Sequence, residues 1–306
     1  MARIYDQAFL GSSIVPAKDA NMSVMSSAVL YGLSVYSVFP VCRVASGLAA
    51  FRIKDHFKRL TDSARIVGID TFEKNWTEEK FIETARQLVV ANNIREDVFL
   101  RATVHASELL PGTRSRGVAT VLSMFIYEAA HILPAAGARL KTSIWRRVPD
   151  SAIPARAKVN GAYVNSVLGK QDALDSGYDD CIFLDERGHV CELSAANIFI
   201  VRDGAIITPS ASSDILEGIS RRTILDIARD IDISAVERAI DLTELYIADE
   251  AFASGTSAFV SPVIEIDKRR VGDGAIGPVT ATLQKKYLEV LHGEDPRYAH
   301  LLTPFD

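Results

Sequence analysis

The stretch RAKVNGAYVNS at 156–166 places a lysine, Lys158, among small residues just ahead of a predicted helix. Two later stretches accompany it: GHVCELSAANIFIV at 188–201 carries Glu192 on a predicted strand, and DILEGISRRTILDIA at 214–228 starts a helix after a glycine. A lysine that reacts with a carbonyl group needs such companions, because a carboxylate can hold a ring nitrogen protonated and amides at a helix start can bind a phosphate. Together the three stretches predict a site for a cofactor that combines a carbonyl, a ring nitrogen and a phosphate.

The same residues belong to a longer ordered series. After Lys158 come Gly161 and Tyr163, and then GYDDCIFLDERGHVCE (177–192), NIF (197–199), TP (208–209), LEGISR (216–221), YIADEAFASGTSA (246–258) and GPVTATLQ (277–284). In this series the chain resembles the class IV, or fold-type IV, aminotransferases that use pyridoxal phosphate (PLP). Its layout is most similar to that of the branched-chain amino acid aminotransferases, from near residue 30 to the C-terminal stretch.

The resemblance implies a mixed α/β fold of the fold-type IV class, with a small N-terminal α/β domain and a larger C-terminal pseudo-barrel domain. Within 306 residues we expect the small domain at 1–126, a linker rich in alanine, proline and glycine at 127–137, and the PLP-binding domain at 138–306. Short strands and helices occur without repeated βαβ units, which argues against a doubly wound sheet.

Local patterns predict the individual elements. In the N-terminal part we expect a hairpin of 35–44 and 49–53, a helix over KDHFKRLTDSARIVG, a helix over 78–92 capped by Thr77, and strands at 98–104 and 118–126. In the C-terminal part we expect a strand at 140–145, a helix at 163–176, hairpins around Arg187-Gly188 and Asp203-Gly204, a helix at 220–230, a strand at 233–238 and a helix at 278–292.

Charge and cysteine usage limit the partners and the compartment. The net charge of -5, without long runs of one sign, argues against nucleic acid and anionic membrane surfaces as partners. The opening residues lack the apolar core of a signal peptide and no later run is long enough to span a bilayer, so a cytoplasmic protein is expected. Cys42, Cys181 and Cys191 lack metal-ligand spacing, so we expect buried thiols in a reducing compartment and no metal site.

The resemblance assigns cofactor roles residue by residue. It implies that Lys158 forms the internal Schiff base, an aldimine, with PLP and then carries a proton between the substrate Cα and the cofactor C4′. It also implies that Glu192 keeps the pyridine nitrogen protonated, that Tyr163 hydrogen-bonds the ring oxygen, and that the planar fork of Arg59 pairs with the phosphate. The implied cofactor-binding set is Arg59, Lys158, Tyr163, Glu192, Asn197, Leu216, Gly218, Ile219, Ser220 and Thr256.

The resemblance also implies a set of substrate-binding residues. The turn Thr256-Ser257-Ala258 resembles one whose backbone amides receive the substrate α-carboxylate, which binds an anion without a cation. Aromatic residues at pocket positions are often ordinary core residues, so residue type alone leaves both interpretations open. The implied substrate set is Tyr31, Tyr36, Phe99, Arg101, Thr256, Ser257 and Ala258, some of them supplied across a dimer interface.

The implied function is transamination of branched-chain L-amino acids (leucine, isoleucine and valine) with 2-oxoglutarate as amino acceptor. The two half-reactions through the Lys158 aldimine predict ping-pong kinetics. The partners are then the amino donor and the 2-oxo acid, and the assembly is a homodimer or a higher even homo-oligomer.

Three departures from the family pattern bear on the substrate. The chain has YSVFP at 36–40 where the family often has Phe-Glu-Gly-x-Arg, it has E-L-S-A-A-N at 192–197 where E-G-(S/A)-G-E-N is usual, and Phe259 replaces a common glutamate. A D-amino acid or (R)-amine aminotransferase of the same fold is therefore an alternative. Aminodeoxychorismate lyase and a binding protein without activity are further alternatives.

Overall fold

The expected mixture of short strands and helices is present throughout residues 2–305, which the computed structural model describes. The strands are β1 (Ile4–Leu10), β2 (Ser13–Pro16), β3 (Ser34–Val44), β4 (Gly47–Phe51), β5 (Val98–Ala106), β6 (Thr120–Glu128), β7 (Ala138–Arg146), β8 (Asp180–Leu184), β9 (Val190–Leu193), β10 (Asn197–Arg202), β11 (Ala205–Thr208), β12 (Ala235–Glu237), β13 (Glu250–Gly255), β14 (Phe259–Ile266), β15 (Arg269–Arg270) and β16 (Leu302–Pro304). The α-helices are α1 (Ser27–Leu30), α2 (Ile53–Ile66), α3 (Phe72–Asn75), α4 (Glu78–Ala91), α5 (Tyr163–Asp175), α6 (Ile219–Asp230) and α7 (Pro278–Leu291).

These elements form two compact units. The first contains the chain up to Ala130, the segment Ala157–Gly161 and the residues from Val290 onward, and the second contains His131–Arg156 and Ala162–Glu289. The division made from the sequence placed 157–161 and 290–306 in the C-terminal domain. In the structure the segment around Lys158 belongs to the first unit, although more than 25 residues of the chain separate it from the N-terminal part of that unit.

The first unit is built on one antiparallel sheet with the strand order β16-β4-β3-β5-β6-β1-β2. Its inner strand β3 is buried over its first nine residues, and helix α2 packs on it. Helix α2 buries Ile53, His56, Leu60 and Ala64, which recur every three or four residues and so share one face. The predicted helix after Thr77 is confirmed as α4, and the Thr77 side chain accepts a hydrogen bond from the Lys80 amide.

The predicted hairpin of β3 and β4 is also confirmed, but its second strand ends earlier than expected. We predicted a strand to residue 53, whereas β4 ends at Phe51. The backbone of Arg52 has a φ of 53°, in the left-handed region, and Ile53 is already the first residue of α2. A strand cannot continue through that conformation, so the turn at Arg52 sets where α2 begins.

The second unit contains a sheet in which strands join into a ring. Along the ring β10 pairs with β13, β13 with β14, β14 with β7, β7 with β8 and β8 with β9. The ring closes where β9 pairs with β10, through the residue pair Glu192 and Asn197. Strands β11 and β12 extend the sheet outside the ring, and β15 pairs with β14. The interior is filled by aliphatic residues such as Ile182, Leu193 and Ile198, as in other small barrels.

Helix α5 lies on β7 and β8 of this sheet. A Cβ atom added to Gly169 in the middle of the helix would lie 2.4 Å from the Phe183 ring and 2.9 Å from the Cys181 sulfur. The glycine therefore permits an approach that any side chain would prevent. This contact fixes the position of the first turn of α5, where Tyr163 lies.

The three cysteines are buried and free, as predicted. Burial raises the pKa of the thiols of Cys42, Cys181 and Cys191, so they are protonated at neutral pH.

No helix within residues 2–305 combines the length and the hydrophobicity needed to cross a membrane.

A partly buried histidine in the first sheet predicts acid sensitivity. Desolvation, with a smaller contribution from the charge of Arg101, lowers the pKa of His105 from 6.5 to about 4. The unfolded chain therefore takes up a proton on this ring below pH 6.5 while the folded chain does not. We expect His105 to lower the free energy of unfolding by roughly 3 kcal/mol as the pH falls from 6.5 to 4, and to have no effect above that window.

The measurement is chemical denaturation of the wild type and of His105→Gln between pH 8 and pH 4. The glutamine can keep a hydrogen bond like that between His105 Nε2 and the Ser123 hydroxyl, 2.9 Å apart, but it does not titrate. The difference between the two stability curves should open only below pH 6.5. Parallel curves over the whole range would show that this ring is not the titrating group.

Candidate active site

The backbone of Lys158 is fixed from both sides within the first unit. Its carbonyl accepts a hydrogen bond from the Tyr36 amide of β3 at 3.0 Å, and the next residue, Val159, forms an antiparallel bridge with Val35. The Lys158 amide donates to the Ser63 hydroxyl of α2, also at 3.0 Å. The backbone of the predicted lysine is therefore held between β3 and α2.

The amine of Lys158 lies over an aromatic ring that a second cation also contacts. Lys158 Nζ is 4.8 Å from the centroid of the Tyr36 ring, and the Arg101 guanidinium carbon is 3.7 Å from the same centroid. Arg101 also donates to Asn160 Oδ1 at 2.6 Å, and Asn160 Nδ2 donates to the Ser34 hydroxyl at 2.7 Å. The structure thus brings Lys158, Tyr36 and Arg101 together in one cluster.

Arg59, the predicted phosphate partner, lies on α2 in the same unit. Its Nη2 donates to the Ser37 hydroxyl of β3 at 3.3 Å. The Ser63 hydroxyl donates to the Arg59 carbonyl at 2.7 Å while it accepts from the Lys158 amide. Arg59 and Lys158 are therefore connected through one buried serine of α2.

In the second unit, the Glu192 carboxylate is surrounded by hydrogen-bond donors. The residue is 5% exposed, and Arg147 Nη2 lies 2.7 Å from its Oε1. Its Oε2 accepts from Asn197 Nδ2 at 3.0 Å and from the Leu216 amide at 3.2 Å. Asn197 Nδ2 also donates to the Leu216 carbonyl at 2.9 Å. A guanidinium and two amide donors around a buried carboxylate stabilise its negative charge, which a protonated ring nitrogen would need in its partner.

The predicted helix start lies next to this carboxylate. Gly218 is the N-cap of α6, and the amides of Ile219 and Ser220 are in the first turn, where no carbonyl of the helix precedes them. A Cβ atom at Gly218 would lie 2.1 Å from Asn197 Oδ1, so only glycine fits. The Ser220 hydroxyl is within 3.0 Å of the hydroxyl of Tyr287 in α7. The helix start therefore offers amides and a positive dipole end beside residues that also hold Glu192.

The remaining predicted residues of the second unit lie at turns. Tyr163 is the first residue of α5 and is partly buried. Thr256, Ser257 and Ala258 join β13 to β14 in a tight hairpin that is closed by the pair Gly255 and Phe259. The Ser257 carbonyl accepts from the Ile132 amide at 3.2 Å, which fixes the direction of the turn.

The other predicted substrate residues differ in exposure. Tyr31, just after α1, is 49% exposed. Phe99 on β5 is 1% exposed, and its ring centroid lies 5.7 Å from that of Tyr127. Phe99 is therefore part of the packed sheet, whereas Tyr31 lies on an open surface of the isolated chain.

The residues present fit the predicted cofactor on three structural observations. A buried carboxylate whose negative charge is stabilised suits a protonated pyridine nitrogen, a helix start that excludes a Cβ suits a phosphate, and a lysine amine on a rigid backbone suits a carbonyl. In the first unit these are Lys158 and Arg59, and in the second they are Glu192 and the amides after Gly218.

Sequence reasoning missed several residues that shape these clusters. The ion pair between Arg147 and Glu192 joins residues 45 positions apart, and the stretch WRRVP contains two adjacent arginines with nothing to choose between them. Ser63 and Asn160 were also missed, because hydroxyl and amide side chains are common at helix and loop positions without any role. For these residues no local pattern could have served as a signal.

Comparison with known proteins adds independent information. The profile of the family "Amino-transferase class IV" matches residues 37–266. A "probable branched-chain-amino-acid aminotransferase" of Aquifex aeolicus is 38% identical over 303 residues, which are 98% of this chain and 96% of the relative. The crystal structure of branched-chain aminotransferase from Thermoproteus uzoniensis with norvaline superposes with a TM-score of 0.93 at 34% identity, covering 99% of this chain and 100% of that one. The branched-chain amino acid aminotransferase from Thermobaculum terrenum in its PLP-form gives a TM-score of 0.92 at 30% identity, covering 99% of each chain.

The buried ion pair predicts a large effect on stability. In Glu192→Ala the Arg147 guanidinium, whose side chain is 14% exposed, loses the carboxylate that compensates its charge. We expect the free energy of unfolding to fall by about 3–5 kcal/mol. The double variant Arg147→Met/Glu192→Gln removes both charges and should recover much of this loss, because no uncompensated charge remains buried.

Denaturant unfolding of the single and double variants measures this effect. Glu217→Gln is the matched control, because Glu217 pairs with Arg156 at 2.7 Å but its side chain is 53% exposed. The control should change stability by less than about 1 kcal/mol. If Glu192→Ala lowered the free energy of unfolding no more than Glu217→Gln does, the buried pair of Arg147 and Glu192 would stabilise the fold no more than an exposed pair.

Proposed function

We propose that this chain, which belongs to the class IV aminotransferase family, transfers the amino group of branched-chain L-amino acids to 2-oxoglutarate with PLP as cofactor. The aminotransferase class and the fold-type IV architecture predicted from the sequence are confirmed by the family match and by the structural likeness over nearly the whole chain. The names of the relatives support the choice of branched-chain donors, and the PLP-form of the Thermobaculum terrenum structure supports PLP as the cofactor.

The observation that carries the proposal is the Lys158 amine on its fixed backbone, close to the ring that Arg101 also covers. Within each half-reaction Lys158 would move one proton between the substrate Cα and the cofactor carbon C4′, in opposite directions in the two half-reactions. A base that shuttles one proton must keep a constant position between the half-reactions. The two backbone hydrogen bonds of Lys158, to Tyr36 and Ser63, supply that constraint.

The other predicted residues bind and orient. Bound PLP supplies an electron sink for the negative charge that develops at the substrate Cα. In our proposal Glu192 holds a proton on the ring nitrogen, Tyr163 hydrogen-bonds the ring oxygen, and Arg59 pairs with the phosphate. Within the second unit, the amides after Gly218 and the Thr256 hydroxyl are also assigned to the phosphate, and Asn197 and Leu216 act by holding Glu192 in place.

Substrate binding has to serve an apolar side chain in one half-reaction and a second carboxylate in the other. We assign the carboxylate of 2-oxoglutarate to Arg101, whose guanidinium stacks on Tyr36 and donates to Asn160. A stacked guanidinium presents its charge at the edge of its plane and leaves a largely apolar surface beside it. Tyr36 then faces the branched side chain, and the amides of Ser257 and Ala258 receive the α-carboxylate. Phe99, which is 1% exposed, contributes only as part of the packed sheet.

A second candidate is a D-amino acid or (R)-amine aminotransferase. It is favoured by the sequence at Ser37, Val38 and Pro40, where the pattern of branched-chain enzymes is not followed. Val38 is 8% exposed on β3, so its side chain occupies space that a glycine would leave open. A lyase is less well supported, because the named relatives are aminotransferases over the full length of the chain.

We also propose a homodimer that uses an exposed apolar surface on the first unit. This surface, here named the 24–31/109–110 surface, is held together by an antiparallel bridge between Ser26 and Leu109 and by a hydrogen bond from the Leu110 amide to the Met25 carbonyl. Its large apolar residues are 44% to 73% exposed: Val24, Met25, Val29, Leu30, Tyr31, Leu109 and Leu110. Such a cluster is more apolar surface than a monomer usually leaves in water. We assign it to a second copy of the chain, in the reducing cytoplasm that the free cysteines suit.

The proposed activity is tested with a panel of donors. We expect the wild type to convert L-leucine, L-isoleucine and L-valine with 2-oxoglutarate, with parallel lines in double-reciprocal plots because the two substrates bind in turn. Lys158→Ala should lose at least about a thousandfold in rate, since it removes the group that moves the proton. Lys58→Ala, which removes a lysine whose side chain is 72% exposed, is the matched control and should keep full activity.

The same panel includes D-alanine and (R)-1-phenylethylamine. Activity with either of these and none with L-leucine would refute the branched-chain proposal and favour the second candidate. Full turnover by Lys158→Ala would refute the role of the lysine, whatever the donor.

The assembly is tested by placing a charge on the 24–31/109–110 surface. Leu110→Glu introduces a carboxylate at a residue that is 69% exposed in the isolated chain, so the fold should tolerate it. We expect the variant to sediment as a monomer at micromolar concentration while the wild type sediments as a dimer or larger even assembly. Val90→Glu, at a residue 63% exposed on α4, is the control and should leave the assembly unchanged. A wild type that is monomeric would overturn the proposal.

A further inference from the structure

A buried chain of hydrogen bonds leads from a histidine to the predicted phosphate arginine. His56 Nδ1 lies 2.8 Å from the Ser37 hydroxyl, and Arg59 Nη2 donates to the same hydroxyl at 3.3 Å. Ser37 is 0% exposed and His56 is 2% exposed. A buried hydroxyl needs hydrogen-bond partners within the protein, and Ser37 finds them in His56 and Arg59.

The geometry of the chain follows from the two elements that carry it. His56 and Arg59 are three residues apart on α2, so they lie on the same face of the helix. Ser37 lies on β3, against which that face packs. The His56 ring also contacts the Phe39 ring, with centroids 5.7 Å apart, which holds the imidazole plane. The histidine is thus anchored by packing, and the serine transmits its position to the arginine.

The direction of each hydrogen bond can be assigned from the chemistry of the groups. A guanidinium can only donate, so the Ser37 oxygen accepts from Arg59. The single hydroxyl proton of Ser37 is then available for His56 Nδ1, which accepts it if the ring is neutral and carries its proton on Nε2. Each contact in the chain is thereby matched, a donor facing an acceptor.

We propose that Ser37 and His56 are positioning residues that hold the Arg59 guanidinium for the cofactor phosphate. The proposal rests on the role of Arg59 in the proposed function. An arginine has many rotamers, and ordering its fork before the anion arrives reduces the entropy that binding must spend. The chain Arg59–Ser37–His56 fixes one nitrogen of the fork and so restricts the directions in which the guanidinium can meet the phosphate.

The test compares two ligands that differ only in the phosphate. Dissociation constants for PLP and for pyridoxal, which lacks the phosphate, are measured on the full chain after removal and readdition of cofactor, by absorbance and fluorescence. The variants are Ser37→Ala, His56→Leu, His56→Asn and Arg59→Ala. The matched control is Thr84→Ala, which deletes a hydroxyl that is also in a buried residue of the first unit and donates to the Lys80 carbonyl.

We expect Ser37→Ala and His56→Leu to weaken PLP about tenfold, which corresponds to about 1.4 kcal/mol, while pyridoxal binding stays unchanged. His56→Asn should restore PLP affinity, because its amide oxygen can accept from Ser37 at the place of Nδ1. Arg59→Ala should remove the preference for PLP over pyridoxal more completely than either. Thr84→Ala should change neither constant.

The contrary outcomes separate the two proposals. If Arg59→Ala lowers PLP affinity selectively but Ser37→Ala and His56→Leu do not, the positioning role is wrong and the proposed function is untouched. If Ser37→Ala and His56→Leu weaken PLP and pyridoxal equally, the two residues support the fold only. If the wild type shows no preference for PLP over pyridoxal, or Arg59→Ala leaves that preference unchanged, the assignment of Arg59 itself is wrong, and the positioning role is overturned with it.

Discussion

A buried carboxylate at the seam of a closed ring of strands is the constraint on which the second unit depends. Glu192 and Asn197 form the pair that joins β9 to β10, so the last pairing of the ring and the predicted partner of a cofactor nitrogen use the same residues. Burying a carboxylate to 5% exposure without partners would destabilise the fold. The Arg147 guanidinium and the Leu216 amide offset this cost for Glu192. The chemistry of the site and the closure of the fold are therefore stabilised by one set of contacts.

In the first unit, backbone hydrogen bonds rather than an ion pair hold the predicted residue Lys158 in place. Lys158 is proposed as the base that moves a proton, and such a base needs a backbone in a fixed position. Its amide and carbonyl are both used, one by Ser63 of α2 and one by Tyr36 of β3. Because the helix and the strand pack on each other, they hold the backbone of Lys158 in a fixed position. The same helix carries Arg59, so one element orients two of the predicted cofactor residues.

The sequence predicted those parts of the structure that local patterns encode. The apolar period of 78–91 and its cap at Thr77 indicated α4, and the turn at Asp203-Gly204 indicated the hairpin of β10 and β11. Ordered motifs predicted Lys158 and Glu192 as cofactor residues, because the chemistry of a PLP site demands those residue types, and this assignment stays a prediction. Partners that meet only through the fold could not be predicted: Arg147 reaches Glu192 from 45 residues away. The end of β4 was missed because the left-handed turn falls on Arg52, an arginine rather than a glycine or asparagine.

The two sets of predicted residues differ in how many contacts hold each of them in place. Glu192 takes part in strand pairing, an ion pair and two amide contacts, so a change there also disturbs the closed ring. The stack of Tyr36 and Arg101, by contrast, lies on neighbouring strands of an open antiparallel sheet, where one side chain can be exchanged without altering any backbone pairing. The side chain of Tyr36 on β3 can therefore change without altering the pairing of β3 with β5. Because side chains alternate along a strand, Ser37 lies on the other face of β3, toward α2, where its hydroxyl is 2.8 Å from His56 Nδ1.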